Sequence, residues 1–229
     1  MAIQLISAKD AALANGIKTL IYGPAGAGKT VFCTTAPADE KTLIISAEAG
    51  LLSIQDADYV DVCQVKSMDE LGEVFTLLKG EHPYKWVCLD SISEIAEVVL
   101  AIEKAKTKDP RQAYGALIDQ MTRIIRGFRD LPLNVVMTAK MERVNDESTN
   151  TLLFMPSMPG QKLAQSLPYF FDEVFALRII KAQDGTSERS LQTSRCIQYE
   201  AKDRSGKLAQ YEYPTLANVA AKIRNQQEF

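Results

Sequence analysis

The residues Gly23-Pro24-Ala25-Gly26-Ala27-Gly28-Lys29-Thr30 set two glycines, a lysine and a threonine in the spacing G-x-x-x-x-G-K-T. Glycines let successive backbone N–H groups curl around a polyphosphate with no Cβ in the way, and a helix starting at Lys29 turns its positive end to the same anion. The lysine of such a loop reaches the β and γ oxygens, and the Thr30 hydroxyl suits Mg²⁺. Gly23 to Val31 is therefore the expected cradle, with ATP and Mg²⁺ as the expected cofactors. The apolar run Thr19-Leu20-Ile21-Tyr22 before it and a helix over roughly residues 29–35 after it are the strand and helix that this chemistry requires.

Two acids stand where such a loop needs them. Thr42-Leu43-Ile44-Ile45-Ser46 reads as a strand buried on both faces, and Glu48 follows its carboxyl end, the edge at which open α/β sheets bind ligands. Tyr84 to Asp90 is a second apolar strand, and Asp90, expected at the tip of a strand beside the phosphate loop, is a second candidate Mg²⁺ ligand. Leu133 to Thr138 is a third, and it delivers Lys140 to the same edge.

The elements that hold these residues follow from hydrophobic period and capping signals. Ile3 to Ser7 reads as a short leading strand and Tyr59 to Val65 as another strand. Ser67-x-x-Glu70 opens a helix with Leu71, Val74, Phe75 and Leu78 on one face and Gly80 at its end, and Ser91 starts a helix running towards Lys104. Phe171 to Lys181 and Arg189 to Glu200 read as paired strands about an Asp184-Gly185 turn, before a last short strand and a helix over Thr215 to Asn225.

Between residues 104 and 129 seven basic residues face two acids. Leu117, Ile118, Met121, Ile124, Ile125 and Phe128 keep helical spacing, so Arg123, Arg126 and Arg129 fall on a solvated face. Lys104, Lys106, Lys108 and Arg111 are assigned to a loop over 104–114 and are candidates for phosphate-backbone contacts. Residues 141–160, rich in Asn, Ser, Thr, Pro and Met, read as a long mobile connection.

Composition closes off other chemistries. The chain has 229 residues, is 46% hydrophobic and carries a net charge of −3, which suits one α/β domain with no general affinity for nucleic acid. Cys33, Cys63, Cys88 and Cys196 show no C-x-x-C spacing and read as small buried hydrophobes. One histidine, His82, permits neither a His-rich metal site nor a Ser/His/Asp triad. No signal peptide and no run of about 18 apolar residues is found, so a cytoplasmic protein without membrane partners is expected.

The order of these motifs resembles the RecA-like recombinase core, most closely at Thr42 to Gly50 and Val87 to Ile92. The YGPAGAGKT opening, Met158-Pro159-Gly160 before Phe171-Asp172-Glu173-Val174, and the late Lys202-Asp203-Arg204 are similar to the phage RecA-like ATPases grouped with single-strand annealing proteins. The resemblance implies an ATP-binding core that promotes pairing of single-stranded DNA, assembles into a ring or filament and works beside a single-strand-binding protein. It implies catalytic roles for Lys29, Glu48 (orienting water) and Asp90 (supporting the metal). It also puts Lys140 where recombinases carry a γ-phosphate-sensing glutamine, sends Lys202 and Arg204 across a subunit interface, and makes 141–160 a DNA-binding loop.

The resulting expectation is a single RecA-like α/β domain over residues 1–229, with a mostly parallel central sheet flanked by helices and antiparallel strands towards the C-terminus. Its expected function is Mg-ATP-dependent annealing or recombination of single-stranded DNA. Two alternatives stay open: a small-molecule or nucleoside kinase, whose only lid candidate is the basic segment 104–111, and a nucleotide-gated interaction module without DNA binding.

Overall fold

The computed structural model describes residues 5–7, 10, 14–48, 50–146, 151–181 and 185–225. Its strands are β1 (Lys18–Gly23), β2 (Thr42–Ser46), β3 (Val60–Gln64), β4 (Trp86–Asp90), β5 (Asn134–Asp146), β6 (Thr151–Ser157), β7 (Glu173–Lys181), β8 (Ser187–Gln192), β9 (Lys202–Asp203) and β10 (Tyr211–Glu212). The helices are α1 (Lys29–Cys33), α2 (Met68–Leu77), α3 (Ile92–Lys106), α4 (Pro110–Arg129), α5 (Gln161–Ser166) and α6 (Leu216–Ile223), with single turns at Leu51–Ile54 and Leu167–Phe170.

All the strands join one sheet in the order β10-β8-β7-β1-β5-β4-β2-β3, with β6 paired to β5 and β9 to β7. β1, β2, β3, β4, β5 and β7 run parallel, whereas β6, β8, β9 and β10 are antiparallel to their partners. The continuous apolar runs arise because both faces are covered. Leu20, Leu43, Ile45, Val87, Leu89, Val135 and Met137 join the core under α2, α3, α4 and α5. Their alternates Ile21, Ile44, Cys88 and Val136 join the opposite core with Phe32 and Cys33 of α1 and Leu216, Val219 and Ala220 of α6.

The expected helix starts are seen: Ser67 Oγ accepts from Glu70 N at 3.2 Å, and Thr215 Oγ1 caps α6 through Asn218 N at 3.3 Å. Leu117, Met121, Ile125 and Phe128 are buried, with Arg123 and Arg126 exposed opposite them. All four cysteines are free, but only Cys33 and Cys88 are buried; Cys63 and Cys196 are half-buried.

Several expectations need correction. The basic segment 104–114 is not a loop: α3 continues to Lys106, and Asp109 caps α4 by accepting from Arg111 N at 2.9 Å, with Pro110 in the first turn. An Asp-Pro pair is a helix-start signal that the lysine count obscured. Residues 141–160 are not a mobile connection either. β5 runs on to Asp146 and pairs antiparallel with β6, from Lys140 opposite Ser157 to Asp146 opposite Thr151, and 147–150 lie outside the described residues. Tyr22 pins this hairpin, its hydroxyl shared between the carbonyls of Phe154 at 3.0 Å and Glu200 at 2.6 Å. The strand expected over 189–200 ends at Gln192, and the expected turn residue Asp184 lies outside the described residues. So do Ile3 and Gln4 of the expected leading strand, while Leu5 to Ser7 form no strand. Finally, β4 is not next to β1; β5 lies between them.

Candidate functional site

The phosphate loop leaves the carboxyl end of β1, where two glycines are dictated by space and torsion. A Cβ on Gly23 would stand 2.8 Å from the Leu177 carbonyl oxygen of β7, and Gly28 caps α1 at φ +101°, in the left-handed region. α1 spans only Lys29–Cys33, so the loop's own N–H groups supply most of the positive potential. Lys29 folds over the loop, its Nζ donating to the carbonyls of Gly23 at 3.0 Å and Pro24 at 3.1 Å. Burial draws its pKa below the usual lysine value, opposed by the charges of Asp90 and Glu48.

Asp90 reaches the loop although its strand is one place removed from β1. Its Oδ2 accepts from Thr30 Oγ1 at 2.6 Å, and its Oδ1 accepts from Thr138 Oγ1 of the intervening β5. Thr138 is wholly buried, so the carboxylate is aimed from behind. The register that places Ser46 opposite Asp90 brings in the second acid. Ser91 Oγ donates to Glu48 Oε1 at 2.5 Å, and Ser46 Oγ donates to the Glu48 carbonyl. One serine thus caps α3, through Glu94 N at 3.3 Å, and holds Glu48 beside Asp90.

Lys140 lines the same cavity, but its ammonium is held by Glu94 at 2.9 Å and Glu97 at 2.8 Å on α3. The Glu97 hydrogen bond and then that of Glu94 push its pKa up to about 12, against burial. The cavity measures about 590 Å³ and includes Pro24, Ala25, Gly26, Val31, Gly50 and Ser53 on its wall, with Ala27 buried beneath the loop. That volume suits a nucleotide-sized ligand. A larger cavity of about 960 Å³ opens at the amino ends of the parallel strands, lined in part by the Arg224–Glu40 and Arg204–Asp172 pairs, but it holds neither the phosphate loop nor the strand-end acids. The chemistry therefore selects the smaller one.

The Thr30 hydroxyl and the Asp90 carboxylate are hard oxygen donors of the kind Mg²⁺ takes together with phosphate and water. Among the described residues no cluster of three His, Cys, Asp or Glu could cage a metal by itself, which is consistent with a cation held partly by a polyphosphate. Lys202 and Arg204 stand elsewhere. β9 pairs with the amino end of β7, level with Thr19 and Leu20, about 10 Å behind the loop at strand spacing. Lys202 Nζ donates to the carbonyls of Pro168 at 2.7 Å and of Phe171, and Arg204 pairs with Asp172 at 2.7 Å.

The family model described as AAA domain matches residues 15–205. The chain belongs to the AAA domain family. The match spans the phosphate loop, both acids and the Lys202-Asp203-Arg204 segment. No curated protein matches the chain. This AAA domain is accordingly a nucleotide-binding P-loop ATPase domain with a mostly parallel sheet between helices. Among its described residues no helix is long and apolar enough to cross a membrane.

One site residue of the AAA domain is missed by sequence reasoning. Arg189 of β8 also lines the loop cavity, and its Nε donates to the Ala27 carbonyl at 2.8 Å. It sits at the exposed end of a mostly polar strand far along the chain from the loop, so nothing local marks it.

Proposed function

We propose that this AAA domain is a RecA-like Mg-ATP hydrolase that acts on single-stranded DNA for annealing or recombination. The observation that carries the hydrolytic part is the Ser91 hydroxyl bond that fixes the Glu48 carboxylate next to the Thr30–Asp90 pair. A carboxylate so placed at the strand edge orients a water and takes its proton. Lys29 stabilises charge on the transferred phosphoryl oxygens, and the loop N–H groups fix the chain of phosphates. Thr30 and Asp90 would hold Mg²⁺, which when bound neutralises charge on the phosphate oxygens. The kinase alternative loses support because its lid candidate, residues 104–111, is the end of α3, a short turn and the start of α4 rather than a long loop.

For the DNA part, support comes from the β5–β6 hairpin, which continues directly from the Lys140 edge. Its exposed Arg143 lies over the Phe154 ring at 5.6 Å, and Phe154 stacks on Tyr199 at 4.8 Å. Interleaved cations and aromatic rings are what unstacked bases and phosphates bind. A homo-oligomer and a single-strand-binding protein complete the proposed setting.

Glu48→Gln tests the hydrolytic reading. The amide keeps the size and the hydrogen bond to Ser91 but cannot accept a proton, so ATP binding should persist while phosphate release falls by about 100-fold or more. Turnover at the parental rate would leave Glu48 a mere strand-end carboxylate and the reading without its base.

A further inference from the structure

The loop cavity has two chemically different ends. Thr30, Asp90, Glu48 and Lys140 belong to the side of β5, β4 and β2, whereas Arg189 enters from β8, across β7 and β1. Both acids on the cavity wall, Glu48 and Asp90, lie on the first side. A nucleoside triphosphate must direct its terminal phosphate to that side, because the metal-binding pair and the water-orienting carboxylate are there. Its sugar and base then extend towards β8.

At that far end the wall carries Arg189, and Val31 of α1 also lines the cavity. Val31 is 41% exposed although it follows Lys29-Thr30 directly, so an apolar surface is offered beside the loop. The Nε bond to Ala27 ties the guanidinium to the loop, and its Nε lies 3.2 Å from where a Cβ on Gly28 would stand. Gly28 is required for its torsion, and a Cβ there would also crowd this arginine. A guanidinium tethered through Nε keeps a planar face that can stack on an aromatic base, an interaction lysine cannot reproduce.

We propose that Arg189 is a nucleoside clamp: it holds the base end of the nucleotide and gives the site its preference for a nucleotide over a bare polyphosphate. The assignment rests on the ATP reading above and adds to it the residue that reads the nucleoside. Because Arg189 is carried by the β7–β8 hairpin, which forms the edge of the sheet beside β10, occupancy of the clamp also fixes that hairpin against the loop.

The test compares binding of ATP and of inorganic tripolyphosphate, each with Mg²⁺, to the full chain by calorimetry. The parental protein should bind ATP more tightly than tripolyphosphate. Arg189→Ala should weaken ATP about tenfold and leave tripolyphosphate within about twofold, the latter also reporting that the loop is still folded. Arg189→Lys, which keeps the charge and a donor for Ala27, should lose most of the ATP preference as well. Unchanged ATP affinity in Arg189→Ala, or an equal loss for both ligands, would overturn the clamp while leaving nucleotide binding in place. Failure of the parental protein to bind either ligand would overturn the nucleotide reading, and the clamp with it.

Discussion

Glu173 shows how one side chain at the start of a core strand sets conditions for the whole edge. It is 1% exposed, its Oε1 accepts from Ser205 N at 3.2 Å, and its Oε2 has no partner among the described residues. Burial, and next the charge of Asp203, push its pKa up to about 8. Between the ordinary carboxylate value and about 8 the folded protein keeps a proton that the unfolded chain has released. The stability Glu173 contributes is thus fully present below about pH 4.5 and is lost as pH rises through 8. Glu173→Gln should leave the thermal midpoint near its parental value at pH 5 and raise it by several degrees at pH 9, each kcal/mol regained being worth about 2–4 °C in a chain of this size. Equal shifts at the two pH values would show that the carboxyl does not titrate in this range.

At the scale of elements, what is legible in the sequence is what local pattern determines. β1, β2 and β4 announce themselves as apolar runs because both of their faces are covered, and the glycines of the loop and the strand-end acids are tied to those runs by spacing. The β5–β6 hairpin is not legible, since β6 buries only Met155 and Pro156 and so shows no continuous apolar run. Nor is the placing of β5 between β1 and β4, which joins segments over a hundred residues apart and which lets Thr138 support Asp90. Arg189 is missed for the same reason.

The corrected junction of α3 and α4 changes the DNA expectation. Lys106 is paired with Glu103 at 2.6 Å, and Lys104 sits over the Tyr114 ring at 5.6 Å, while Lys108 and Arg111 are exposed. Neutralising Lys104, Lys106, Lys108 and Arg111 together should lower the salt slope of single-strand binding by on the order of 2, about 0.7 for each phosphate that no longer meets a cation, with Lys106 adding least. An unchanged slope in a filter-binding titration would move the phosphate-binding surface to the β5–β6 hairpin alone.

For the whole molecule the decisive geometry is that Lys202 and Arg204 lie behind the sheet edge that carries the loop, held to Pro168, Phe171 and Asp172. Within one chain they have no path to the phosphates, so any action on ATP must be on a neighbour's. Burial draws the Lys202 pKa down, with the nearby Arg204 charge acting the same way and the charges of Asp172, Glu173 and Glu200 opposing them. If assembly stacks the back of one protomer on the loop edge of the next, these cations complete the neighbour's site and turnover needs copies to meet. Specific activity should then rise with protein concentration. The sharper experiment mixes two inactive variants, Lys202→Ala with Arg204→Ala in one chain and Glu48→Gln in the other. Interfaces that join an intact Glu48 site to an intact Lys202–Arg204 donor should restore part of the activity, at most about a quarter of the parental value for random pairing. If the two chains co-assemble and no mixing ratio restores phosphate release, the pair's role is confined to bracing the Phe171–Asp172 turn against β9.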